Sequence, residues 1–242
     1  MAIELPGPVI DFLNFIGVDF PRVNEDSVRE FASHVREFAS NIEDTHSAAT
    51  STVQQMSGAY SGASYEALVA RWSEMSSSHM QELIKICGVV ATALDVAADY
   101  IEGKKVEAIA QFAVMAASFV ADQAAAVATL GLAEAAEVAI VAAAKELAKF
   151  LEQELEQYII GEIIQKAVTP LEGVVEKALN GLMFSAASSL LGGGSSGAVG
   201  ASFGIDPEQL ASHAAEFTKH SDAVAGHAQD FAGKLSSLSF DG

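Results

Sequence analysis

Histidines near the end of the sequence have the most regular spacing of any side chains that could do chemistry. His213, Glu216 and His220 lie three and then four residues apart, so a helix would place them on one face. His227 extends that face by another seven residues. Metal sites on helices can use such spacing, but no further ligand is supplied and no H-E-x-x-H pattern occurs. A polar flank of a packed helix is the better interpretation, so no metal site is predicted.

Other patterns that could support catalysis or cofactor binding are incomplete. Serines are many, but no S-x-x-K motif occurs, and the G-x-S-x-G spacing at 193–197 and 200–204 falls inside a Gly/Ser-rich stretch without an ordered Ser/His/Asp constellation. Gly192, Gly194 and Gly197 form a G-x-G-x-x-G pattern, yet no β-strand pattern precedes them and the lysine of a P-loop is missing. The single cysteine, Cys87, lies in an apolar run and is expected to be a small buried hydrophobe. The sequence therefore predicts a protein that is not an enzyme and holds no cofactor.

Charge and N-terminal composition limit the partners and the export route. The formal net charge is −19, from 32 acidic and 13 basic side chains, which would repel a phosphate backbone. No nucleic-acid partner is predicted. Residues 1–20 lack the basic segment and the small-residue cleavage site of a Sec signal peptide, and they carry Glu4, Asp11 and Asp19. An exported protein with this N-terminus would need another route.

A long helical hairpin is predicted for the first hundred or so residues. No proline occurs between Pro21 and Pro170, and this stretch is rich in strong helix formers. Asn24 is a good N-cap for the first helix, and the glycine-containing segment 57–62 breaks it. Two long helices joined by a short glycine turn pack antiparallel. Apolar residues at steps of three, four or seven form the predicted hairpin seam, which includes Val28, Phe31, Val35 and Phe38 on the first helix and Trp72 on the second. The face of the second helix continues through Leu83, Ile86, Val90 and Leu94.

The next part of the sequence is a hydrophobic, Ala-rich helical block. Residues 104–165 are apolar nearly all round, which predicts helices buried by several neighbours, with breaks at Gly131 and Gly161. The longest run without a charge, 108–121, has 14 residues and is shorter than the about 20 that span a bilayer. The fold class is therefore all-α, a long antiparallel hairpin packed with this block in a domain at 1–191. A Gly/Ser-rich linker follows at 192–204.

Residues 205–242 are predicted to be the first helix of a second, incomplete hairpin. Asp206 is placed as N-cap, Pro207 as the first helical residue and Gln209 for a capping box. A shift of 182 positions superposes this segment on the first hairpin helix, with Asp206 on Asn24. The alternative is that any two heptad helices align in this way. If the repeat is real, a longer polypeptide is expected. The predicted seam is Leu210, Ala214, Phe217, Ser221, Val224, Ala228, Phe231, Leu235 and Leu238.

The turn at Tyr60-Ser61-Gly62, between two long helices, resembles the WxG-type helical hairpins secreted by the type VII (ESX) system. Tyr60 stands where that family usually has tryptophan, and the nearest tryptophan lies on the second helix. The order of hairpin, hydrophobic block and linker resembles the N-terminal domain of large actinobacterial polymorphic toxins, including those with a channel-forming front half. Members also carry a Y-x-x-x-D/E export signal. Tyr158 and Glu162 fit that pattern, with ordinary helix surface as the alternative.

The resemblance implies a function in secretion and in partner binding. The expected partners are a small helical-hairpin protein and a secretion ATPase. The expected location is outside the cell or in the cell envelope, reached without a Sec signal peptide after synthesis in a bacterial cytoplasm. Two alternatives stay open: a membrane-active channel or translocation domain built from residues 108–141, and a purely structural helical scaffold.

Overall fold

A computed structural model describes residues 3–21, 23–129, 134–159, 161, 165, 169 and 204–240. These residues are almost entirely helical, which confirms the all-α prediction. Residues 192–203 of the predicted linker lie outside the described residues, so the predicted domain limits stay a prediction. The elements in chain order are α1 (Gly7–Ile16), α2 (Glu25–Gln55), a 3-10 turn (Met56–Gly58), β1 (Tyr60–Ser61), α3 (Ala63–Met75), a π-helical turn (Ser76–Met80), α4 (Gln81–Thr129), α5 (Glu134–Tyr158), β2 (Gly204–Ile205) and α6 (Pro207–Ser237).

The chain divides into two compact units. The first unit contains Met1–Glu30, Ala93–Gln165 and Leu238–Gly242, and the second contains Phe31–Thr92 and Lys166–Ser237. The long helices α2 and α4 each contribute residues to both units, whereas α6 lies wholly in the second.

The start of α2, in the first unit, has the predicted cap. The side-chain oxygen of Asn24 accepts hydrogen bonds from the backbone N–H groups of Asp26 and Ser27, at 3.0 and 3.2 Å. These bonds satisfy N–H groups that have no partner inside the helix. The backbone N–H of Asn24 donates to the carbonyl of Phe240 at 2.8 Å, and the Ser27 hydroxyl donates to the carbonyl of Ser239 at 2.5 Å. The segment after α6 is therefore bound at the cap of α2.

Aromatic rings and one buried ion pair hold the first unit together. The Phe12 and Phe119 rings lie 5.3 Å apart, which packs α1 against α4. The Lys105 ammonium on α4 lies 2.6 Å from the carboxylate of Glu25 at the start of α2. Because both of these charged side chains are buried, each depends on the other for compensation of its charge.

Burial of the hydrophobic block by several neighbours was predicted, and for α4 this is wrong. Phe112 and Phe119 are buried, but Val114 and Val120 are 67% and 66% exposed on another side of the same helix. The described neighbours cover one face of α4 only. Alanines and these valines on the open side made all sides of the helix look apolar in the sequence. No helix in the described parts of the chain is both long enough and apolar enough to cross a membrane.

The second arm of the hairpin is divided into several elements. The π-helical turn at Ser76–Met80 separates α3 from α4, and such a turn adds one residue and rotates the following side chains. On the face of α4 that follows, Cys87 is buried at 1% exposure, whereas Ile86, which the heptad steps placed on the packed face, is only half-buried. Burial raises the pKa of the Cys87 thiol to about 11. The prediction that this cysteine is a buried hydrophobe is confirmed.

Candidate functional site

The turn of the hairpin, in the second unit, depends on Gly62. Its φ of 127° and ψ of 179° lie in a backbone region that is essentially restricted to glycine. Its carbonyl accepts hydrogen bonds from the N–H groups of Tyr65 and Glu66, which start α3. The Tyr65 hydroxyl donates to the carbonyl of Val53 at 3.2 Å. The turn thus fixes α3 against the end of α2.

Tyr60, the residue at the tryptophan position of the resemblance, belongs to a short sheet. In antiparallel register, Tyr60 pairs with Ile205 and Ser61 with Gly204. A Cβ atom on Gly204 would lie 3.0 Å from Ser61 Oγ, so the close approach favours glycine there. No strand was expected from the sequence, because strands of two residues show no alternation that could be detected. The turn therefore holds the segment that leads into α6.

The start of α6 has the predicted N-cap with one difference. Asp206 Oδ1 accepts from the backbone N–H groups of Glu208 and Gln209, both at 3.1 Å. In a capping box the Gln209 side chain would accept from the N–H of Asp206. That N–H instead donates to the carbonyl of Ala59 at 2.8 Å, and the Gln209 amide donates to the Asp206 carboxylate at 2.9 Å. The cap is confirmed, and it also links α6 to the hairpin turn.

A stripe of α2 residues at heptad spacing contacts α6. The rings of Phe38 and Phe231 stack with centroids 4.9 Å apart. The Thr45 hydroxyl lies 3.0 Å from Nε2 of His227, and the Thr52 hydroxyl lies 3.4 Å from Nε2 of His220. As the α2 number increases the α6 number decreases, so the two helices are antiparallel. We call Phe38, Thr45 and Thr52, together with Trp72 of α3, the docking stripe.

Each residue of the predicted hairpin seam has a defined position. Val28 and Val35 are buried, while Phe31, Phe38 and Trp72 are half-buried. Phe38 and Trp72 contact aromatic rings of α6. Sequence reasoning did not separate these two roles, because a long helix with two packed faces still shows a single set of steps of three and four.

The predicted seam of α6 was wrong at three positions. Ala214, Ser221 and Ala228 are exposed, whereas His213, His220 and His227 are half-buried. The threonine hydroxyls of α2 supply hydrogen-bond partners for His220 and His227, so imidazoles are tolerated on the contact face. Among the described residues, no group of three His, Cys, Asp or Glu side chains could hold a metal ion.

Trp72, the single tryptophan of the chain, lies at the end of the docking stripe that contacts Phe217. Its indole N–H donates to the Thr50 hydroxyl at 2.9 Å, and its ring centroid lies 5.8 Å from that of Phe217 of α6. On its other side the ring stacks on His46, with centroids 5.2 Å apart. Trp72 therefore contacts α2 and α6 at the same time.

His46, beside this stripe, has one ring nitrogen without a hydrogen-bond partner in the described structure. Its Nε2 lies 2.7 Å from the hydroxyl of Ser76, the first residue of the π-helical turn. Its Nδ1 is buried and makes no hydrogen bond within the described structure. Burial lowers the pKa of the imidazole below 6.5, because a charged ring would lose its hydration. The ring is therefore neutral at pH 7.

The tyrosine of the predicted export pattern lies in the first unit. Tyr158, the last residue of α5, stacks on Tyr100 of α4 with ring centroids 3.9 Å apart. The Tyr100 hydroxyl donates to Glu154 at 2.9 Å, and Lys104 lies 2.9 Å from the same carboxylate. Burial and the hydrogen bond to Glu154 both raise the pKa of Tyr100. Glu162, the second member of the pattern, lies outside the described residues.

Comparison with known proteins gives a match to a protein family. A family model described as a WXG100-like domain matches residues 4–147. The matched range contains α1, α2, the glycine turn, α3, all of α4 and the first half of α5. No curated protein and no solved structure matches the chain.

Proposed function

This chain belongs to the WXG100-like domain family, whose members are helical proteins of type VII secretion, and we propose that it is the partner-binding and secretion-targeting front region of a type VII-exported polymorphic toxin. The family match over residues 4–147 carries the proposal. The glycine-restricted backbone of Gly62 supports it, because this residue occupies the glycine position of the WxG-type turn. The front region itself is proposed to be non-catalytic.

The proposed partners are a small helical-hairpin protein and the secretion ATPase. Co-expression of the tagged chain with small hairpin proteins from neighbouring genes, followed by pull-down, tests the first partner. A stable complex of defined stoichiometry is expected. Gly62→Ala should weaken its capture, whereas Gly58→Ala serves as control because a Cβ there would meet nothing within 4 Å. Equal capture of the two variants would show that the turn does not contribute to partner binding.

The proposed export signal contains Tyr158 and Glu162. The test compares secretion of the wild-type chain with Tyr158→Ala and Glu162→Ala in a strain with a working secretion ATPase. Phe150→Ala is a matched control, because Phe150 lies on the same helix and is exposed. Loss of export in the first two variants and normal export of the control are expected. Failure of the wild-type chain to leave the cell would contradict the whole proposal.

A second candidate function is contact with membranes through the hydrophobic block. It rests on the exposed valines of α4, Val114 and Val120, in a stretch of 14 residues without a charge. The discriminating measurement is dye leakage from phosphatidylcholine vesicles. Leakage that is lost in Val114→Asp would favour this function, and intact vesicles together with a monodisperse protein would exclude it.

A further inference from the structure

The first helix of the hairpin presents two different stripes in the second unit. One stripe is deeply buried and contains Val35, Ile42 and Val53, each at most 2% exposed. The other is the docking stripe, whose α2 members Phe38, Thr45 and Thr52 are seven residues apart and face α6. The two stripes therefore lie on different faces of α2, and the docking stripe makes the ring and hydroxyl contacts with α6.

The helix that covers the docking stripe is itself poorly buried. No described side chain of α6 is buried, although the helix is 31 residues long. Its lateral contacts with α2 and α3 include two aromatic pairs, two His–Thr contacts and the exposed ion pair of Lys234 with Glu37. Exposed ion pairs contribute little to stability. A helix with few buried apolar contacts opens locally more often than the core beneath it.

We propose that the docking stripe is a binding site for an amphipathic helix of a partner protein, and that α6 is an exchangeable internal occupant of this site. The proposal deepens the proposed function, since it names where a partner helix binds and what restrains it. Release of α6 uncovers Phe38 and Trp72, two half-buried aromatic rings of the kind that anchor interfaces.

The contacts of α6 define the chemistry of the partner helix. It runs antiparallel to α2 and carries aromatic rings at the positions of Phe217 and Phe231. Between them, at the positions of His220 and His227, it carries groups that hydrogen-bond to threonine hydroxyls. Near the C-terminal end of the partner helix, at the position of Lys234, we expect a basic side chain that pairs with Glu37 of this acidic protein.

Internal occupancy must lower the apparent affinity of any competing helix. Only the open state binds the competitor, so the affinity is reduced by the ratio of closed to open molecules. Hydrogen exchange of the α6 amides gives an upper limit for this ratio, because their hydrogen bonds lie within the helix and the released helix must also unwind before they exchange. The gain in affinity on removing the internal occupant must therefore not exceed the protection of the α6 amides.

The first measurement is native-state hydrogen exchange on the unmodified full chain. Amides of α6 are expected to exchange at least about 100-fold faster than those of the buried stripe of α2, after correction for intrinsic rates. Equal protection of the two helices would mean that α6 opens only when the hairpin unfolds. That result would overturn the proposal.

The second measurement uses a labelled synthetic peptide of residues 206–238 as the competing helix. Its affinity is measured for the wild-type chain and for the variant Phe217→Ser/Phe231→Ser, which weakens the internal helix only. The variant should bind the peptide at least about tenfold more tightly than the wild type, and the gain should not exceed the protection of the α6 amides in hydrogen exchange. Thr218→Ala on the exposed side of α6 is the control and should leave the affinity unchanged. No gain in the double variant, with helicity preserved in circular dichroism, would overturn the proposal.

Failure of the docking site and failure of the proposed function give different results. If the peptide binds as expected but no hairpin partner is captured and no export occurs, the docking stripe is supported as a helix-binding site and the proposed function in secretion is contradicted. If a hairpin partner is captured equally by wild type and double variant, the function stands and the role of α6 is overturned. If the wild-type chain forms dimers that the double variant does not, the occupant is a second copy, and the separate partner is overturned.

Discussion

Replacing Lys105 by methionine removes the cation of the buried ion pair in the first unit. The ammonium lies 2.6 Å from Glu25 Oε2, and the two side chains are only 6% and 1% exposed. Lys105 also donates to the carbonyl of Val23 at 2.9 Å, and the other Glu25 oxygen accepts the N–H of Ile3 at 2.6 Å. Methionine keeps most of the apolar length of lysine, so the change tests the charge more than the packing.

The expected loss follows from the uncompensated carboxylate. Removing one partner of a buried ion pair costs about 3–5 kcal/mol. In a chain of this size each kcal/mol lowers Tm by about 2–4 °C, so K105M should lose roughly 6–20 °C at pH 7. The double variant E25Q/K105M removes both charges and should recover most of the loss. K104M is the matched control, because the neighbouring lysine pairs with Glu154 at the surface and should cost at most about 1 kcal/mol.

The pH dependence gives an independent test of the same pair. Burial raises the pKa of Glu25, but the hydrogen bonds from Lys105 and from the N–H of Ile3 outweigh it, so the pKa lies below 4.5. The pair therefore stabilises the wild type above pH 4.5, and this stability is lost as the pH falls through the folded-state pKa. In K105M the Glu25 carboxyl stays buried but has no lysine beside it, so it protonates at higher pH. Protonation removes the uncompensated charge, and with it the cost of burying that charge.

Urea denaturation at pH 7, 5 and 4, followed by circular dichroism, measures both effects. The difference in free energy of unfolding between wild type and K105M should be largest at pH 7 and should narrow toward pH 4. A difference below about 1 kcal/mol at pH 7, or one that is constant with pH, would refute the reasoning.

Three further predictions concern the second unit. Gly62→Ala should cost about 1–3 kcal/mol in urea denaturation because of its backbone angles, whereas Gly58→Ala should cost less. The lowered pKa of His46 means that the unfolded state binds more protons, so stability should fall as the pH decreases below 6.5. His46→Phe should lack that decrease, and the fluorescence of Trp72 is a local probe of it. Cys87 should resist an aromatic disulfide reagent at pH 8 until urea unfolds the chain, since its pKa is about 11; fast labelling of the native protein would contradict this.

Local chemistry explains what the sequence could predict. The caps of α2 and α6 were predictable because an Asn or Asp side chain bonds N–H groups only two or three residues away. The glycine turn was predictable because a break in two heptad patterns coincides with Gly62. An export signal is defined by the partner that recognises it, so the assignment of Tyr158 and Glu162 as such a signal stays a prediction.

Contacts between distant segments explain what the sequence could not predict. The pairing of Tyr60 with Ile205 joins two residues on each side and leaves no periodic pattern. The contact face of α6 depends on Thr45 and Thr52, which accommodate histidines where an apolar seam was expected. The packed face of α4 runs from Leu83 to Val90 through Cys87 rather than Ile86, and a seam count cannot separate these two because steps of three and of four both stay on one helix face.

The large separation between the docking stripe and α6 along the chain has a consequence for the protein during its synthesis. Thr45 leaves the ribosome 182 residues before His227, its contact on α6. At about 5–20 residues per second, roughly 10–35 s pass before the internal helix is available. In that interval the nascent hairpin presents Phe38 and Trp72 without competition. A partner that is already abundant in the cytoplasm would therefore bind most readily to the chain while it is still being translated.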